Sequence, residues 1–359
     1  MRTQARCTLL LLACTAGAQA FAPAVQPIFK RPRARGGAAV LGRTRMMGGG
    51  GMTDLGDLSI LGAVKKLRAG DLTKTRSIHF PGCINESYKF ECEKANFFVK
   101  INRKFSCSEM FEGESAALQA MLFAGMKCPV PLRMGDLPHG GSYLIMQHIA
   151  FKPFLMLEPT SQSLLGENLA MMHLHQPDRH HFFGFGLPTR LGITPMDNTW
   201  TDSWSEFFIE SRLKPVLELL ASKKLPSDVV PRRVEELCER ARGVLDLLPY
   251  DLRPSILHGD LWLGNAGATE EGRVAIFDPS SFYGHSEFDL AFRGWQAVEG
   301  FPGLSEEFFT AYHYHLPRAD GYEERSEVYQ LFHLANHACM YGSECVPFVD
   351  GVAKTIMST

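Results

Sequence analysis

Three features that many proteins have are missing from this 359-residue sequence. Beyond the N-terminus no apolar run approaches the ~20 residues that a membrane-spanning helix requires, so we expect no membrane domain. The nine cysteines form no Cys-x-x-Cys pair, so the spacing of a structural zinc site or a disulfide framework is lacking. No internal repeat occurs, which excludes a solenoid or repeat protein.

Acidic residues are absent from the first 52 positions, although that segment contains eight of the 37 lysine and arginine residues. The remaining chain therefore has 29 basic residues against 39 acidic ones, a net charge of −10 rather than the −2 of the whole sequence. A chain with this charge repels a polyanion, so we expect no nucleic-acid partner.

The N-terminus has the order of a secretory signal peptide: two arginines, an apolar run at residues 8–13, and small residues through Ala20. We predict a signal peptide over residues 1–20. Residues 21–52 begin with Phe21-Ala22-Pro23, and they resemble the transit part of the bipartite presequences of algae with secondary plastids. We therefore expect import into the plastid stroma, with the secretory pathway as the alternative. The seven later cysteines are an odd number, which favours a reducing compartment.

A polar stretch at residues 257–265 has the layout of a phosphoryl-transfer loop. Asp260 would accept the proton of an attacking hydroxyl, while Asn265 and Asp278, which follows the apolar strand at residues 274–277, would hold Mg²⁺ against nucleotide phosphates. The spacing is that of a protein kinase. A polar turn between two core strands is the alternative, but a turn does not require three such groups at these offsets.

The sequence predicts a small β-rich lobe at 53–150, followed by a helical lobe at 151–359 that contains this loop. Lys100 ends an apolar strand, and the next segment, 106–124, reads as a helix opened by a capping box. A strand lysine paired with a carboxylate on the next helix orients the α- and β-phosphates of ATP. We assign the pairing to Glu114, with Glu112 as the alternative.

Two further segments of the small lobe are predicted to meet the nucleotide. Residues 81–86 stand where a nucleotide-covering loop would lie, but one glycine makes a weak signal and a plain hairpin turn is the alternative. The strand at 141–149 would end in the hinge that meets adenine, with Met146 behind the base and Gln147 and Ile149 alongside it. An ordinary core strand explains the same apolar run.

The helical lobe contains an aromatic and acidic patch around Trp200. A tryptophan beside carboxylates suits the face and the hydroxyls of a sugar, although most such tryptophans anchor a core. We therefore predict that Trp200 contacts a substrate.

Together these motifs resemble the fructosamine-3-kinase/ketosamine-3-kinase family. The resemblance is carried by Asp-Leu-Trp-x-Gly-Asn at 260–265, by Phe-Asp-Pro at 277–279 and by Tyr-Gly-His-Ser-Glu at 283–287, and it extends from about Leu61 to the C-terminus. It implies an α+β, bilobal, protein-kinase-like fold close to that of aminoglycoside phosphotransferases. It also implies ATP- and Mg²⁺-dependent phosphorylation of the 3-hydroxyl of ketosamines on glycated lysines, after which the unstable 3-phosphate eliminates and frees the amine.

The resemblance assigns roles to individual residues. Asp260 becomes the catalytic base, Trp262 flanks the sugar, and His285 and Glu287 join the substrate site. Cys83 occupies the nucleotide loop, where family members often carry a cysteine that links two subunits by a redox-sensitive disulfide, so the chain would be a monomer or such a homodimer. Two departures stand out: Pro81-Gly82 replaces a glycine run, and Leu263 stands where serine is usual.

Plant and bacterial-type members of this family prefer ribulosamine and erythrulosamine to fructosamine, and a plastid setting agrees with that preference. The expected partners are glycated proteins or small ketosamines. Two alternatives stay open. One is a small-molecule kinase of the aminoglycoside or choline type on the same fold. The other is a silent module that binds nucleotide or glycated protein and has a redox role through Cys83.

Overall fold

The computed structural model describes residues 58–78, 84–152, 158–175, 181–249, 251–297 and 303–358. The predicted signal peptide and transit segment, and Cys83 with the glycine before it, lie outside these residues. No helix within the described part of the chain is long and apolar enough to cross a membrane.

The small lobe is built on a five-stranded antiparallel sheet with the strand order β1-β2-β3-β5-β4. Its elements are α1 (Leu58–Lys66), β1 (Leu72–Ile78), β2 (Glu86–Cys92), β3 (Asn96–Asn102), α2 (Cys107–Phe123), β4 (Pro131–Asp136) and β5 (Ser142–Gln147). Helix α1 packs on one face of the sheet, where Ile60 and Val64 join the core cluster around Val99. Helix α2 covers the other face, where Phe111 packs with Phe98.

Strand β3 shows how sequence alternation positions the site. Side chains of a strand point alternately to opposite faces. Phe97, Val99 and Ile101 lie in the cluster under α1, whereas Phe98 lies in the cluster under α2. Lys100 therefore faces α2 as well. The capping box predicted for α2 is present, because Glu109 Oε2 accepts hydrogen bonds from Ser106 N at 3.0 Å and from Ser106 Oγ at 2.7 Å.

The larger lobe is mainly helical. Its helices are α3 (Pro159–Leu174), α4 (Trp204–Phe208), α5 (Lys214–Ser222), α6 (Val230–Leu245), α7 (Glu306–His315), α8 (Tyr322–Tyr341) and α9 (Val346–Ser358), with 3₁₀ segments at Leu263–Asn265, Ser286–Ala297 and Ser343–Cys345. Short strands form three pairs: β6 (Thr189–Leu191) with β7 (Thr194–Met196), β8 (Ser255–Ile256) with β11 (Tyr283–Gly284), and β9 (Ala266–Ala268) with β10 (Val274–Ile276).

Two local features of the larger lobe are irregular. A π-helical turn, Ile209–Leu213, separates α4 from α5. Pro215 follows directly, and because it has no N–H it cannot continue the regular hydrogen-bond pattern of an α-helix. The β6–β7 hairpin was not expected. Its two-residue turn contains Gly192, whose φ of +65° lies in the left-handed region that glycine adopts without strain.

Candidate active site

Lys100 joins the two lobes through a pair of short ionic hydrogen bonds. Its Nζ lies 2.6 Å from Glu114 Oε1 on α2 and 2.6 Å from Asp278 Oδ1 after β10. Burial lowers the pKa of Lys100, but the two carboxylates raise it by more, so the net shift is upward and the amine stays charged. Burial raises the pKa of Glu114, and Lys100 opposes that shift. Of the two carboxylates weighed from the sequence, Glu114 is the one that pairs with Lys100.

The catalytic loop is held by its own side chains and by one buried carboxylate. Asn265 Nδ2 donates to the carbonyl of Asp260 at 2.8 Å and to Asp260 Oδ2 at 3.1 Å. Asp289, which is 1% exposed, accepts from the backbone N–H groups of His258 at 2.6 Å and Gly259 at 2.8 Å. Asp289 also lies 3.2 Å from His173 Nε2. The loop therefore presents Asp260 in one fixed orientation.

His258 ties the catalytic loop to the strand that carries Asp278. Its Nδ1 accepts from Asp260 N at 3.2 Å, so its Nε2 carries the proton and donates to the carbonyl of Phe277 at 2.9 Å. Burial lowers the pKa of His258, which keeps this tautomer neutral. Through these two hydrogen bonds, His258 links the loop that carries Asp260 to the strand end that carries Asp278.

Gly259 stands where protein kinases carry arginine, and the structure supplies the reason. Its φ is +82°, and a Cβ at this position would lie 2.1 Å from the carbonyl oxygen of Ser280. Because no side chain fits between the two loops, only glycine allows them to approach this closely.

Burial dominates the electrostatics of Asp260. It raises the pKa of the carboxyl well above the ordinary value, the hydrogen bond from Asn265 opposes the shift, and the charges of Asp278 and Asp289 add to it. A carboxylate with a raised pKa is a stronger base for a hydroxyl proton.

Two neighbouring groups fit a divalent cation. Asn265 Oδ1 is buried and has no hydrogen-bond partner, although a buried carboxamide oxygen is normally paired. Asp278 adopts φ of +58°, which is strained for a residue other than glycine and sets the direction of its carboxylate. Carboxylate and amide oxygens are the ligands that Mg²⁺ takes alongside phosphate oxygens.

The catalytic cleft is the cavity in which these groups meet. It is lined by Ile84, Asn85, Ser87, Lys100, Met110, Glu114, Arg190, Leu191, Gly192, Asp260, Trp262, Asn265, Asp278, Pro279, Ser280, His337, Met340 and Tyr341. The cavity thus brings together side chains that the sequence predicts for the site: Lys100, Glu114, Asp260, Asp278, Asn265 and Trp262. Trp262 is 5% exposed and lies against Gly264, where a Cβ would be 2.2 Å from the indole ring.

Two groups of cleft residues are not predicted by the sequence. Arg190, Leu191 and Gly192 come from the β6–β7 hairpin, and His337, Met340 and Tyr341 come from the end of α8. A signal was present for α8, because His337 and Tyr341 are four residues apart and so share a helix face. His337 Nδ1 donates to the carbonyl of residue 333 at 2.8 Å, and burial lowers its pKa to about 4. This imidazole is neutral at physiological pH.

A second, smaller cavity adjoins the hinge. It is lined by Phe98, Pro129, Met146, Gln147, His148, Ile149, Phe151, Phe277 and Asp278. The three hinge residues predicted to surround adenine all line it. Asp278 lines both cavities, which connects the hinge to the catalytic cleft.

The sequence comparisons agree with this site. A family model described as fructosamine kinase matches residues 63–358. The chain belongs to the fructosamine kinase family. The Mus musculus protein named ketosamine-3-kinase is 36% identical over 287 residues, which cover 73% of this chain and 88% of the mouse protein. The Arabidopsis thaliana protein named protein-ribulosamine 3-kinase, chloroplastic, is 35% identical over 277 residues, covering 77% of this chain and 80% of the plant protein.

Solved structures share the fold. A putative fructosamine-3-kinase from Thermobifida fusca is 26% identical, has a TM-score of 0.69, and is matched over 84% of this chain and 99% of its own. The aminoglycoside phosphotransferase APH(4)-Ia, solved with AMP-PNP and hygromycin B, has a TM-score of 0.58 at 15% identity, over 84% of this chain and 98% of its own. The predicted bilobal kinase-like fold is confirmed, and the protein is a phosphotransferase of this family.

Three side chains predicted to bind substrate in this kinase lie apart from the catalytic cleft. Glu287 forms a two-point ion pair with Arg325, with N–O distances of 2.7 and 2.8 Å. His285 Nδ1 lies 2.8 Å from the hydroxyl of Tyr329. Neither is among the residues that line the cleft.

Trp200 is the third of these side chains. It is 40% exposed and packs against Tyr283, with the ring centroids 6.0 Å apart, and it is also absent from the lining of the cleft.

Proposed function

We propose that this fructosamine kinase transfers the γ-phosphoryl group of ATP to the 3-hydroxyl of ketosamines on glycated proteins or amines. The observation that carries the proposal is that Asp260 and Trp262 line one cavity together with the ion-paired Lys100. A proton acceptor and an aromatic face side by side suit a sugar hydroxyl that is about to be phosphorylated. The names of the mouse and Arabidopsis relatives point to the same substrate class.

The nucleotide would extend from the hinge cavity to the catalytic cleft. Adenine would lie between Phe98 and Phe277, and we assign its hinge contact to the peptide N–H of Ile149, since those of Gln147 and His148 donate to the carbonyls of Val130 and Asn96. Lys100, which Glu114 holds in place, would meet the α- and β-phosphates. AMP-PNP in the structurally similar aminoglycoside phosphotransferase supports a triphosphate in this fold.

Asn265 and Asp278 would hold a divalent cation, and we assign it as Mg²⁺. The chemistry that such a cation would supply is neutralisation of the negative charge of the nucleotide phosphates. The protein's own contribution is positional. Asp260 would lie next to the 3-hydroxyl and accept its proton while the hydroxyl oxygen bonds to the γ-phosphorus and the bond from that phosphorus to ADP breaks. ADP and the ketosamine 3-phosphate are the products, and elimination of that phosphate frees the amine.

The sugar would lie against Trp262, toward Arg190, His337 and Tyr341. Ribulosamines and erythrulosamines are the substrates that we assign, with fructosamines as poorer ones, and the names of the plant relatives support this order. Because its Nδ1–H donates to the carbonyl of His333 at 2.8 Å, a neutral His337 would meet a sugar hydroxyl as an acceptor, through Nε2.

The substrate assignment can be tested by ATP turnover of residues 53–359 on ribulosyl-lysine, fructosyl-lysine, choline and an aminoglycoside. We expect turnover of both ketosamines, with a higher kcat/KM for ribulosyl-lysine, and none of the other two acceptors. Turnover of choline or the aminoglycoside alone would show a small-molecule kinase on the same fold. Nucleotide binding without turnover of any acceptor would indicate the silent module.

We assign this kinase to the plastid stroma, with residues 1–20 as a signal peptide and 21–52 as a transit segment. The chloroplastic names of the rice and Arabidopsis relatives support this localisation. A fluorescent protein fused behind residues 1–52 would enter plastids; secretion of the fusion would favour the alternative.

We also propose that two subunits are linked under oxidation by a disulfide between their Cys83 residues. The six cysteines in the described part of the chain are all buried. Burial raises the pKa of most of these thiols, to about 12 for Cys128 and Cys238, and this suppresses the reactive thiolate. Oxidised protein should therefore run as a dimer on a non-reducing gel, and Cys83→Ala should run as a monomer. The matched control Cys92→Ala should still form the dimer, whereas a dimer band that survives in Cys83→Ala would show that another thiol forms the link.

A further inference from the structure

The β6–β7 hairpin contacts three parts of the active site at once. Thr194 Oγ1 donates to Asn336 on α8 at 2.6 Å. At the turn, a Cβ on Gly192 would lie 2.4 Å from the sulfur of Met340 and 3.6 Å from Ile84, in the nucleotide-covering segment. On its other side the hairpin touches α2, the helix that carries Glu114. This larger-lobe hairpin therefore connects the substrate end of the cleft to the small lobe.

Arg190 makes the contact with α2. Its Nε donates to the carbonyl of Glu109 in the first turn of α2 at 2.6 Å, and its Nη1 donates to the carbonyl of Ile193 at 2.9 Å. The guanidinium carbon also lies 4.2 Å above the centre of the Phe105 ring, just before α2 begins. One side chain thus braces the hairpin turn, the helix start and the segment that leads into it.

Gly113 provides a second contact between the same elements. A Cβ at this position would lie 2.2 Å from the carbonyl oxygen of Pro188. The backbone of α2 therefore rests directly on the chain that enters the hairpin. The next residue is Glu114, whose carboxylate reaches Lys100 at 2.6 Å. Any shift of α2 away from the hairpin displaces this carboxylate.

We infer that the β6–β7 hairpin holds α2 in the position that forms the Lys100–Glu114 pair, and that Arg190 is a positioning residue for nucleotide binding. Lys100 can orient phosphates only while Glu114 restrains it. Because Arg190 and Gly192 also line the substrate end of the cleft, the hairpin connects occupancy of that end to the nucleotide site. This inference rests on the proposed use of ATP.

The inference can be tested by calorimetric titration of AMP-PNP with Mg²⁺, which needs no ketosamine. Arg190→Ala should weaken binding about tenfold, the scale of coupling between groups in contact. Glu114→Gln should weaken it similarly, and Arg190→Ala should add little further loss in the Glu114→Gln background, since both act on one ion pair. Arg190→Lys, which keeps a donor and the charge, should restore part of the affinity. A full additive loss in the double variant, or unchanged affinity in Arg190→Ala, would overturn the inference.

Gly113→Ala tests the backbone contact between α2 and the chain that enters the hairpin. Its added methyl group must push α2 from Pro188, so the variant should reproduce the weaker AMP-PNP binding of Arg190→Ala. The matched control is Gly243→Ala in helix α6, where an added Cβ meets no atom within 4 Å. Wild-type affinity in Gly113→Ala would argue against the inference. If the wild-type protein does not bind AMP-PNP, the proposed use of ATP fails instead.

Discussion

Asp260→Asn is expected to lower kcat by about 10²- to 10⁴-fold, the contribution of a positioned general base. The replacement is nearly isosteric, and its amide oxygen can still accept the hydrogen bond that Asn265 donates at 3.1 Å. The loop, anchored by Asp289 to the N–H groups of His258 and Gly259, should keep its shape. Steady-state turnover on ribulosyl-lysine, with AMP-PNP affinity measured separately, checks both expectations.

An exposed aspartate provides the control for this result. Asp71→Asn, on the segment before β1, makes the same chemical change away from the cleft and should leave kcat unaffected. If Asp260→Asn kept more than a tenth of the wild-type kcat, Asp260 would not be the base. If it lost AMP-PNP binding as well, the loss of turnover would reflect a disturbed site rather than a missing proton acceptor.

Lys100→Met should abolish productive ATP binding and also destabilise the fold by about 3–5 kcal/mol. The reason is that Glu114 and Asp278, each 2.6 Å from the lysine, would share a buried site without a compensating cation. Burial already raises the pKa of Glu114, and only Lys100 opposes it. Denaturant unfolding at neutral pH, compared with Lys74→Met on the exposed face of β1, would measure the loss.

The pH dependence of that variant identifies its cause. Without the lysine, the folded-state pKa of Glu114 lies further above its unfolded value. Between these two pKa values, Glu114 binds a proton in the folded state but not in the unfolded state. Stability gained in this way is present at low pH and is lost as pH rises through the folded-state pKa. Lys100→Met should therefore be less destabilised in acid than at neutral pH, and Glu114→Gln in its background should restore part of the stability but no activity. A destabilisation that is independent of pH would point to lost packing instead.

Much of the candidate site follows from short stretches of sequence. The offsets among Asp260, Asn265 and Asp278 are set by one loop and one hairpin, so spacing alone predicts that they meet. The two-residue period of β3 places Lys100 on the face covered by α2, and the capping box marks the start of that helix. The hinge residues follow from the end of one apolar strand. Each of these inferences uses residues joined by a few peptide bonds.

Other parts of the site could not be predicted, because they depend on residues far apart in the chain. The Tyr-Gly-His-Ser-Glu segment marks the family, yet nothing in it shows that Glu287 would turn to Arg325, 38 residues later, rather than to a sugar. Nothing in the sequence distinguishes Arg190 from the other arginines, because its partner Glu109 lies 81 residues earlier.

By itself, therefore, the sequence determined the family, and it predicted a candidate base, candidate cation ligands and a phosphate lysine with two possible partners. The tertiary structure alone decided that Glu114 is that partner, that the β6–β7 hairpin and the end of α8 line the cleft, and that His285 and Glu287 pair with Tyr329 and Arg325 outside it. The physical reason is the separation along the chain of the residues that interact. Backbone geometry fixes the offsets within a loop, whereas the direction in which a side chain faces depends on which distant element buries it.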